Sequence, residues 1–178
     1  MKSIIYCLLN TFISFIHFGR IKLGNKSGLR IWKSIKCDKK SKIYGKNISV
    51  RKNTHIEAKN GGVISFGNNV NFNYNCIIAS HKNISFGNNV SIGPNCIFYD
   101  HDHNYKSKNW RKDFITKDIK IGNDVWIGGN VVILKGTTIG DNCVIAAGTI
   151  LKGEQIPNNS LVYQDVVLKN RNIGEKKL

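Results

Sequence analysis

The chain has 178 residues, 41% of them hydrophobic, and carries a formal net charge of +16. This length predicts one domain with enough chain to build a continuous core. Although the chain is basic, no base-reading motif or aromatic stacking platform accompanies the charge, which argues against a nucleic-acid-binding protein.

Most of the positive charge lies near the N-terminus. Residues 1–52 hold thirteen Lys and Arg side chains against one acid, Asp38, whereas residues 53–178 hold fourteen against ten. The segment is therefore either an ordinary solvated surface or a surface that attracts an anionic lipid, an acidic glycan or the phosphates of a nucleotide cofactor.

The first predicted element is a helix over residues 3–18, which are apolar except for a narrow stripe of Ser3, Asn10, Ser14 and His17. The segment is too short to span a membrane, and no signal-peptidase-like site follows it. Two interpretations remain. The helix caps the core or packs on a neighbouring subunit, or it anchors the protein at a membrane surface, helped by the basic residues that follow. Residues 1–43 are therefore predicted to form an amphipathic and basic segment before the main domain.

From residue 44 to 157 the sequence follows a six-residue period. The period is strictest over 121–151, where an aliphatic residue recurs at Ile121, Ile127, Ile133, Ile139, Ile145 and Leu151. Neither a helix nor an ordinary half-buried strand has this period, which is typical of a parallel β-helix. Earlier members of the series are Tyr44, Val50, Ile56, Phe66, Phe72, Ile78, Phe86, Ile92 and Phe98.

These hexads predict about five triangular coils of about 18 residues, stacked at strand spacing. Residues 104–120 interrupt the period and are expected to leave the coils as a loop, and 158–178 to form a tail. The five cysteines show no metal-type spacing, and Cys76, Cys96 and Cys143 occupy the small inward position of a hexad. They are therefore predicted to be core residues, which suggests a reducing compartment. Gly or Asn recurs at the corners, where a positive φ or a side-chain-supported turn is needed: Gly67, Asn69, Gly87, Asn89, Gly122, Gly128 and Gly140.

This repeat, with the motif Val125-Trp126-Ile127-Gly128, resembles the hexapeptide-repeat acyltransferases, closest to galactoside and maltose acetyltransferases and their capsule- and O-antigen-modifying relatives. The resemblance covers about residues 44–157. It implies an all-β, left-handed parallel β-helix that assembles as a homotrimer, with acetyl-CoA as donor and a sugar as acceptor.

Two histidines, His101 and His103, lie where the long loop leaves the rigid coils, a position suited to acid–base work near neutral pH. The resemblance implies that His101 is the general base, with His103 as the second candidate. A zinc site built from these residues and His81 is the alternative, because the β-helical γ-class carbonic anhydrases bind zinc through histidines. Their paired ligands are spaced further apart than two residues, so no metal is expected.

The expected cofactor site includes Trp126, a large ring at an outward position. Gly129 and Ala147 are eighteen residues apart and should stack on adjacent coils. The resemblance places Trp126 against the pantetheine arm of coenzyme A, the two small residues beside that arm, and Lys152 near the nucleotide phosphates. A Thr that precedes this lysine in the family is Leu151 here.

The expected acceptor site includes Asn73, His81 and Asp100. The resemblance matches Asn73 to an acceptor-binding Asn, while His81 stands where galactoside acetyltransferases have an acidic residue. The function expected is O-acetylation of a cell-surface polysaccharide or its precursor. The alternatives are N-acetylation of an amino sugar, acetylation of a small molecule and, in another class, a non-catalytic β-solenoid scaffold. The expected location is the cytoplasm, with peripheral association with the anionic membrane surface left open.

Overall fold

The computed structural model describes residues 21–23 and 35–165, which form a left-handed parallel β-helix of about six turns. Its strands, in chain order, are β1 (Ile21–Leu23), β2 (Ile35–Cys37), β3 (Lys42–Val50), β4 (His55–Ala58), β5 (Val63–Phe72), β6 (Ile77–Ser80), β7 (Asn83–Phe86), β8 (Val90–Ile92), β9 (Ile97–Tyr99), β10 (His101–His103), β11 (Phe114–Thr116), β12 (Ile119–Ile121), β13 (Trp126–Ile127), β14 (Val132–Leu134), β15 (Thr138–Ile139), β16 (Val144–Ile145), β17 (Ile150–Leu151), β18 (Gln155–Ile156) and β19 (Leu161–Val162).

Three faces of stacked parallel strands enclose the core. Face one contains β1, the first parts of β3 and β5, then β7, β12, β15 and β18. Face two contains the second parts of β3 and β5, then β8, β13, β16 and β19. Face three contains β2, β4, β6, β9, β14 and β17. The expected β-helix is thus confirmed.

The core consists of the inward hexad side chains, stacked in columns from coil to coil. Four phenylalanines form its aromatic part. The rings of Phe66 and Phe86 are stacked with centroids 5.3 Å apart. Phe72 packs edge to face against the other three rings, and Phe98 also packs edge to face against Phe86. Such ring pairs add about 0.5–1.5 kcal/mol each to the effect of burial. The three cysteines in the small inward positions, Cys76, Cys96 and Cys143, are buried free thiols as predicted.

The coils begin earlier than expected. β1 pairs with β3, and β2 pairs with β4, so residues before 44 already belong to the first turn. Tyr44 was wrongly assigned to the core, because a register shift between Gly45 and Lys46 turns its side chain outward, where it is 45% exposed. Gly45 pairs with Phe66 instead, and a Cβ on that glycine would lie 2.6 Å from the Phe66 Cβ.

At the other end, the repeat continues past residue 157. β19 pairs with β16 on face two, so the start of the predicted tail is a further strand of the solenoid. The predicted helix 3–18 and residues 166–178 lie outside the described residues.

The corner residues divide into two kinds. Asn69 and Asn89 have positive φ, as expected, and their side chains form a hydrogen-bonded ladder that continues to Asp124. Gly67 and Gly87 do not have positive φ, and a Cβ at either would lie 2.4–2.5 Å from the backbone oxygen of the next coil. These glycines therefore serve close stacking between coils.

The long excursion is partly ordered as a hairpin. β10 and β11 pair antiparallel, with His101 opposite Thr116 and His103 opposite Phe114. The Lys117 N–H donates to the Asp100 carbonyl at 2.9 Å, and the chain is back on face one at Ile119. The excursion therefore ends before residue 120 and contributes a strand of its own. It leaves at the corner between faces three and one.

Candidate active site at the base of the hairpin

A buried aspartate holds a histidine at the point where the hairpin leaves face three. Nδ1 of His101 lies 2.9 Å from Oδ1 of Asp100, whose side chain is fully buried. The Ser80 hydroxyl donates to Oδ2 at 2.6 Å, and the backbone N–H groups of His81 and Lys82 donate at 2.8 and 2.9 Å. The carboxylate therefore has partners from two adjacent coils.

These contacts keep the carboxylate ionised. Burial alone would raise the pKa of Asp100, but the hydrogen bonds from the His101 ring, from backbone N–H groups and from Ser80 outweigh it and lower the pKa. An ionised acceptor on Nδ1 favours the His101 tautomer whose Nε2 carries the free lone pair. Asp100 therefore holds the ring through Nδ1, and 13% of the His101 side chain is still exposed.

Asp100 was expected among the acceptor-binding residues, and that stays a prediction. In this structure its carboxylate has no exposed surface, and both oxygens accept hydrogen bonds from the protein. Its role in this geometry is to orient and polarise His101.

His81 lies directly on the His101 ring. The two imidazole planes are 3° from parallel with centroids 3.6 Å apart, and Phe114 of the hairpin closes on both rings edge to face. The Asn60 side-chain amide lies 3.3 Å from His81 Nδ1. Burial, and then the neighbouring His101, lower the pKa of His81, so its imidazole is neutral at pH 7.

His103 stands apart from this arrangement. It lies further along β10, with an exposed side chain, and Nδ1 is 2.8 Å from the Trp110 carbonyl. Its ring packs against Phe114 at 4.7 Å. Among residues 35–165 its ring nitrogen meets a backbone carbonyl and not a carboxylate, so the geometry favours His101 as the base.

Between the hairpin and the corner of the second and third coils lies a cavity of about 520 Å³. Its lining comprises Asn60, His81, Arg111, Lys112, Phe114 and Thr116. Sequence reasoning missed five of these, Asn60, Arg111, Lys112, Phe114 and Thr116. Four of the five lie on the hairpin, which has no repeat from which its fold could be predicted.

The expected cofactor residues lie elsewhere on the prism. Trp126 projects from face two with 60% of its side chain exposed, between Ser91 and Val144 of the adjacent coils. The eighteen-residue register of these strands puts Gly129 beside Ala147, and the Gly148 N–H donates to the Gly129 carbonyl at 2.9 Å.

The two other expected residues lie at different corners of the prism. Lys152 follows face three at the same corner as the hairpin, two coils beyond Tyr99, and its backbone N–H donates to the Glu154 carboxylate. Asn73 lies at the corner after face two, where it lines a groove of about 280 Å³ with Ser49, Arg51, Asn71, Phe72, Ser91 and Ile92. The structure thus joins His81, Asp100 and His101. Lys152 lies at the same corner two coils further along, and Asn73, Trp126, Gly129 and Ala147 lie on face two or at the corner that follows it.

Within residues 21–23 and 35–165, no group of three or more His, Cys, Asp or Glu side chains is placed to hold a metal ion. The same ranges contain no helix long and apolar enough to cross a membrane.

A six-residue repeat wound into a three-faced parallel β-helix defines the class of hexapeptide-repeat proteins. Residues 118–153 match the family model described as bacterial transferase hexapeptide (six repeats). WbbJ of Escherichia coli (strain K12), whose name assigns it to lipopolysaccharide biosynthesis as an O-acetyl transferase, is 31% identical over 129 residues, 67% of this chain. The chain spans 65% of that relative's length.

Two solved structures share the fold. A maltose O-acetyltransferase from Clostridium difficile 630 has 38% sequence identity and a TM-score of 0.58, over 66% of this chain and 62% of that one. A hexapeptide-repeat acetyltransferase from Vibrio cholerae O1 biovar eltor, solved with acetyl coenzyme A, has 28% identity and a TM-score of 0.50, over 72% and 64%. Residues 118–153 thus match the hexapeptide-repeat family, and about two thirds of the chain is similar to acetyltransferases of the kind that the sequence resemblance indicated.

Proposed function

We propose that the protein transfers an acetyl group from acetyl-CoA to a sugar hydroxyl of a cell-surface polysaccharide or its precursor. The observation that carries this proposal is the Asp100–His101 pair at the mouth of the hairpin. An acetyl-CoA complex of a relative with the same fold supports the donor, and the names of WbbJ and of the maltose enzyme support a sugar hydroxyl as acceptor.

In the proposed reaction, His101 acts as general base. Its Nε2 accepts the proton of the acceptor hydroxyl while that oxygen attacks the thioester carbonyl, forming a tetrahedral oxyanion. When the oxyanion collapses, the carbon–sulfur bond breaks, and the imidazolium returns its proton to the leaving thiolate. Asp100 stays ionised throughout, holding Nδ1–H and stabilising the imidazolium.

The donor is proposed to lie along the Trp126 face, with Gly129 and Ala147 beside the pantetheine arm and Lys152 near the phosphates. Trp126 and His101 occupy different parts of one prism, so a site that uses both is completed by a neighbouring subunit. A homotrimer, in which face two of one prism meets the hairpin corner of the next, satisfies this requirement. Light scattering of the purified protein tests the assembly, and an active monomer would contradict it.

The acceptor is proposed to contact His81 and, from a neighbouring subunit, Asn73. The reaction is placed in the cytoplasm, which suits the free thiols of Cys76, Cys96 and Cys143. Peripheral membrane association through the basic N-terminal segment is part of the same proposal.

The decisive experiment incubates the protein with acetyl-CoA and a panel of sugars, and measures acetyl transfer by mass spectrometry. Sugar O-acetate formed by the native protein and lost in His101→Ala supports the proposal. Acetyl transfer to amino groups alone would favour the N-acetyltransferase alternative, and no transfer to any sugar would favour a non-catalytic scaffold.

A further inference from the structure

The cavity beside the His81 and His101 rings is lined by two cations that form no ion pair within the described part of the chain, residues 21–23 and 35–165. Arg111 and Lys112 both line it, together with the neutral polar side chains of Asn60 and Thr116. No Asp or Glu is among its lining residues. Across residues 35–165, neither Arg111 nor Lys112 takes part in an ion pair.

Other cations around this corner are neutralised within the chain. Lys59 pairs with Glu57 at 2.8 Å, and Lys82 pairs with Asp118 at 3.2 Å. Lys135 contacts the Asp102 carboxylate. Of the cations named here, Arg111 and Lys112 are the two that line the cavity, and neither is among the paired ones.

The acids nearest to these two cations are engaged elsewhere. Asp113 follows Lys112 in the sequence, but its carboxylate accepts the hydroxyl hydrogen bond of Ser107. Asp38 lies beyond Asn60, and its two oxygens accept the backbone N–H groups of Lys40 and Asn60 at 3.0 and 2.7 Å. Neither acid forms an ion pair with Arg111 or Lys112 within residues 35–165.

The remaining lining groups also suit an anion. The Arg111 guanidinium lies 5.1 Å from the Trp110 ring centroid, a contact that limits its conformational freedom before any ligand binds. The Asn60 amide lies next to His81 Nδ1, an arrangement that leaves the ring proton on Nε2 as a donor. Two cations and a set of neutral donors can bind a carboxylate or phosphate through charge-assisted hydrogen bonds.

We propose that this cavity binds an anionic group of the acceptor, so that the acceptor is an acidic sugar bearing a carboxylate or phosphate. The inference rests on the proposed function, because His81, whose ring stacks on that of His101, lines the cavity. A single sugar residue carries its acidic group and its hydroxyls close enough to reach both places. The geometry therefore assigns Arg111 and Lys112 to acceptor specificity.

Binding without acetyl-CoA tests the inference separately from catalysis. The probes are the methyl glycosides of glucuronic and galacturonic acid, each compared with its neutral glucoside or galactoside. Binding is followed by NMR of histidine-labelled full-length protein, in which the His81 ring reports occupancy of the cavity. We expect at least one acidic glycoside to shift the His81 signals and to bind about tenfold or more tighter than its neutral partner.

A matched pair of double variants separates a built site from general electrostatic attraction. Arg111→Gln with Lys112→Gln should raise the Kd of the acidic glycoside about tenfold or more. Lys106→Gln with Lys108→Gln removes the same charge from the same hairpin, away from the cavity lining, and should change the Kd less than about twofold. Equal loss in both double variants, or no preference for an acidic glycoside, would overturn the inference.

Coenzyme A is the other source of an anion. The Kd of coenzyme A should be the same in the native protein and in the Arg111→Gln, Lys112→Gln variant. If that Kd rises while glycoside binding is unaffected, the cavity holds a cofactor phosphate and the assignment to the acceptor is wrong. If acidic glycosides bind as expected and no sugar is ever acetylated, the binding site stands and the proposed function fails.

Discussion

The imidazole rings of His81 and His101 lie parallel, 3.6 Å apart, although the two residues are twenty positions apart in the chain. The coil between them has about twenty residues, since β6 pairs with β9 in a twenty-residue register. The two histidines therefore occupy the same corner on successive turns. One ring is anchored through Asp100 and the other through Asn60. Four predictions follow from this corner and from the exposed tryptophan of face two.

His101→Ala should reduce kcat by about 10²–10⁴-fold, because loss of a general base typically has this effect. The KM for acetyl-CoA should change little, since the proposed cofactor contacts lie on other parts of the prism. Steady-state kinetics with the best acceptor of the panel measures both parameters.

His103→Ala is the matched control, since it removes the same side chain from the same strand. It should retain most of the kcat or raise the KM for the acceptor. If the two variants exchange these behaviours, His103 is the base and the reaction class survives.

Asp100→Asn should lower kcat by about 10²-fold or more, because an amide no longer fixes the His101 tautomer. It should also destabilise the fold by about 2–3 kcal/mol at neutral pH, since hydrogen bonds to a buried charge are lost. Urea unfolding at several pH values measures the second effect.

The lowered pKa of Asp100 determines how the destabilisation caused by Asp100→Asn depends on pH. A depressed pKa contributes stability above the unfolded-state value, about 3.9, and this contribution is lost as pH falls through the folded-state pKa. The difference between native protein and Asp100→Asn should therefore narrow below about pH 4. A constant difference down to pH 2 would show that folding does not lower the pKa of Asp100.

His81→Gln should make the stability less sensitive to mild acid. The pKa of His81 is lowered by burial and by His101, with Lys59 also lowering it and Asp100 and Glu57 opposing. Below about pH 6.5 the unfolded chain therefore binds more protons than the folded one. The free energy of unfolding consequently decreases as the pH is lowered.

The glutamine variant lacks this proton uptake, so its unfolding free energy should change less between pH 7 and 5 than that of the native protein. Thermal or urea unfolding across this range provides the measurement. The same slope in both proteins would mean that His81 does not contribute to the acid sensitivity.

The sequence predicted the solenoid because hexad periodicity records which side chains face inward, and the buried Cys76, Cys96 and Cys143 follow from it. It failed at Tyr44, where one register shift exchanges the inward and outward faces. His101 was identifiable as a candidate from its place at the loop. Its partners were not, because the Ser80–Asp100 contact depends on how corners of unequal length stack.

Trp126→Ala should raise the KM for acetyl-CoA about tenfold and leave the acceptor KM nearly unchanged. The ring is 60% exposed, so its removal should scarcely affect folding, whereas loss of its contact with a bound arm is worth about 1–2 kcal/mol. Trp110→Ala makes the same chemical change on the hairpin, where the ring contacts Arg111 and His103. That control should leave the KM for acetyl-CoA unchanged and act, if at all, on the acceptor. An unchanged acetyl-CoA KM in Trp126→Ala would remove face two from the donor site.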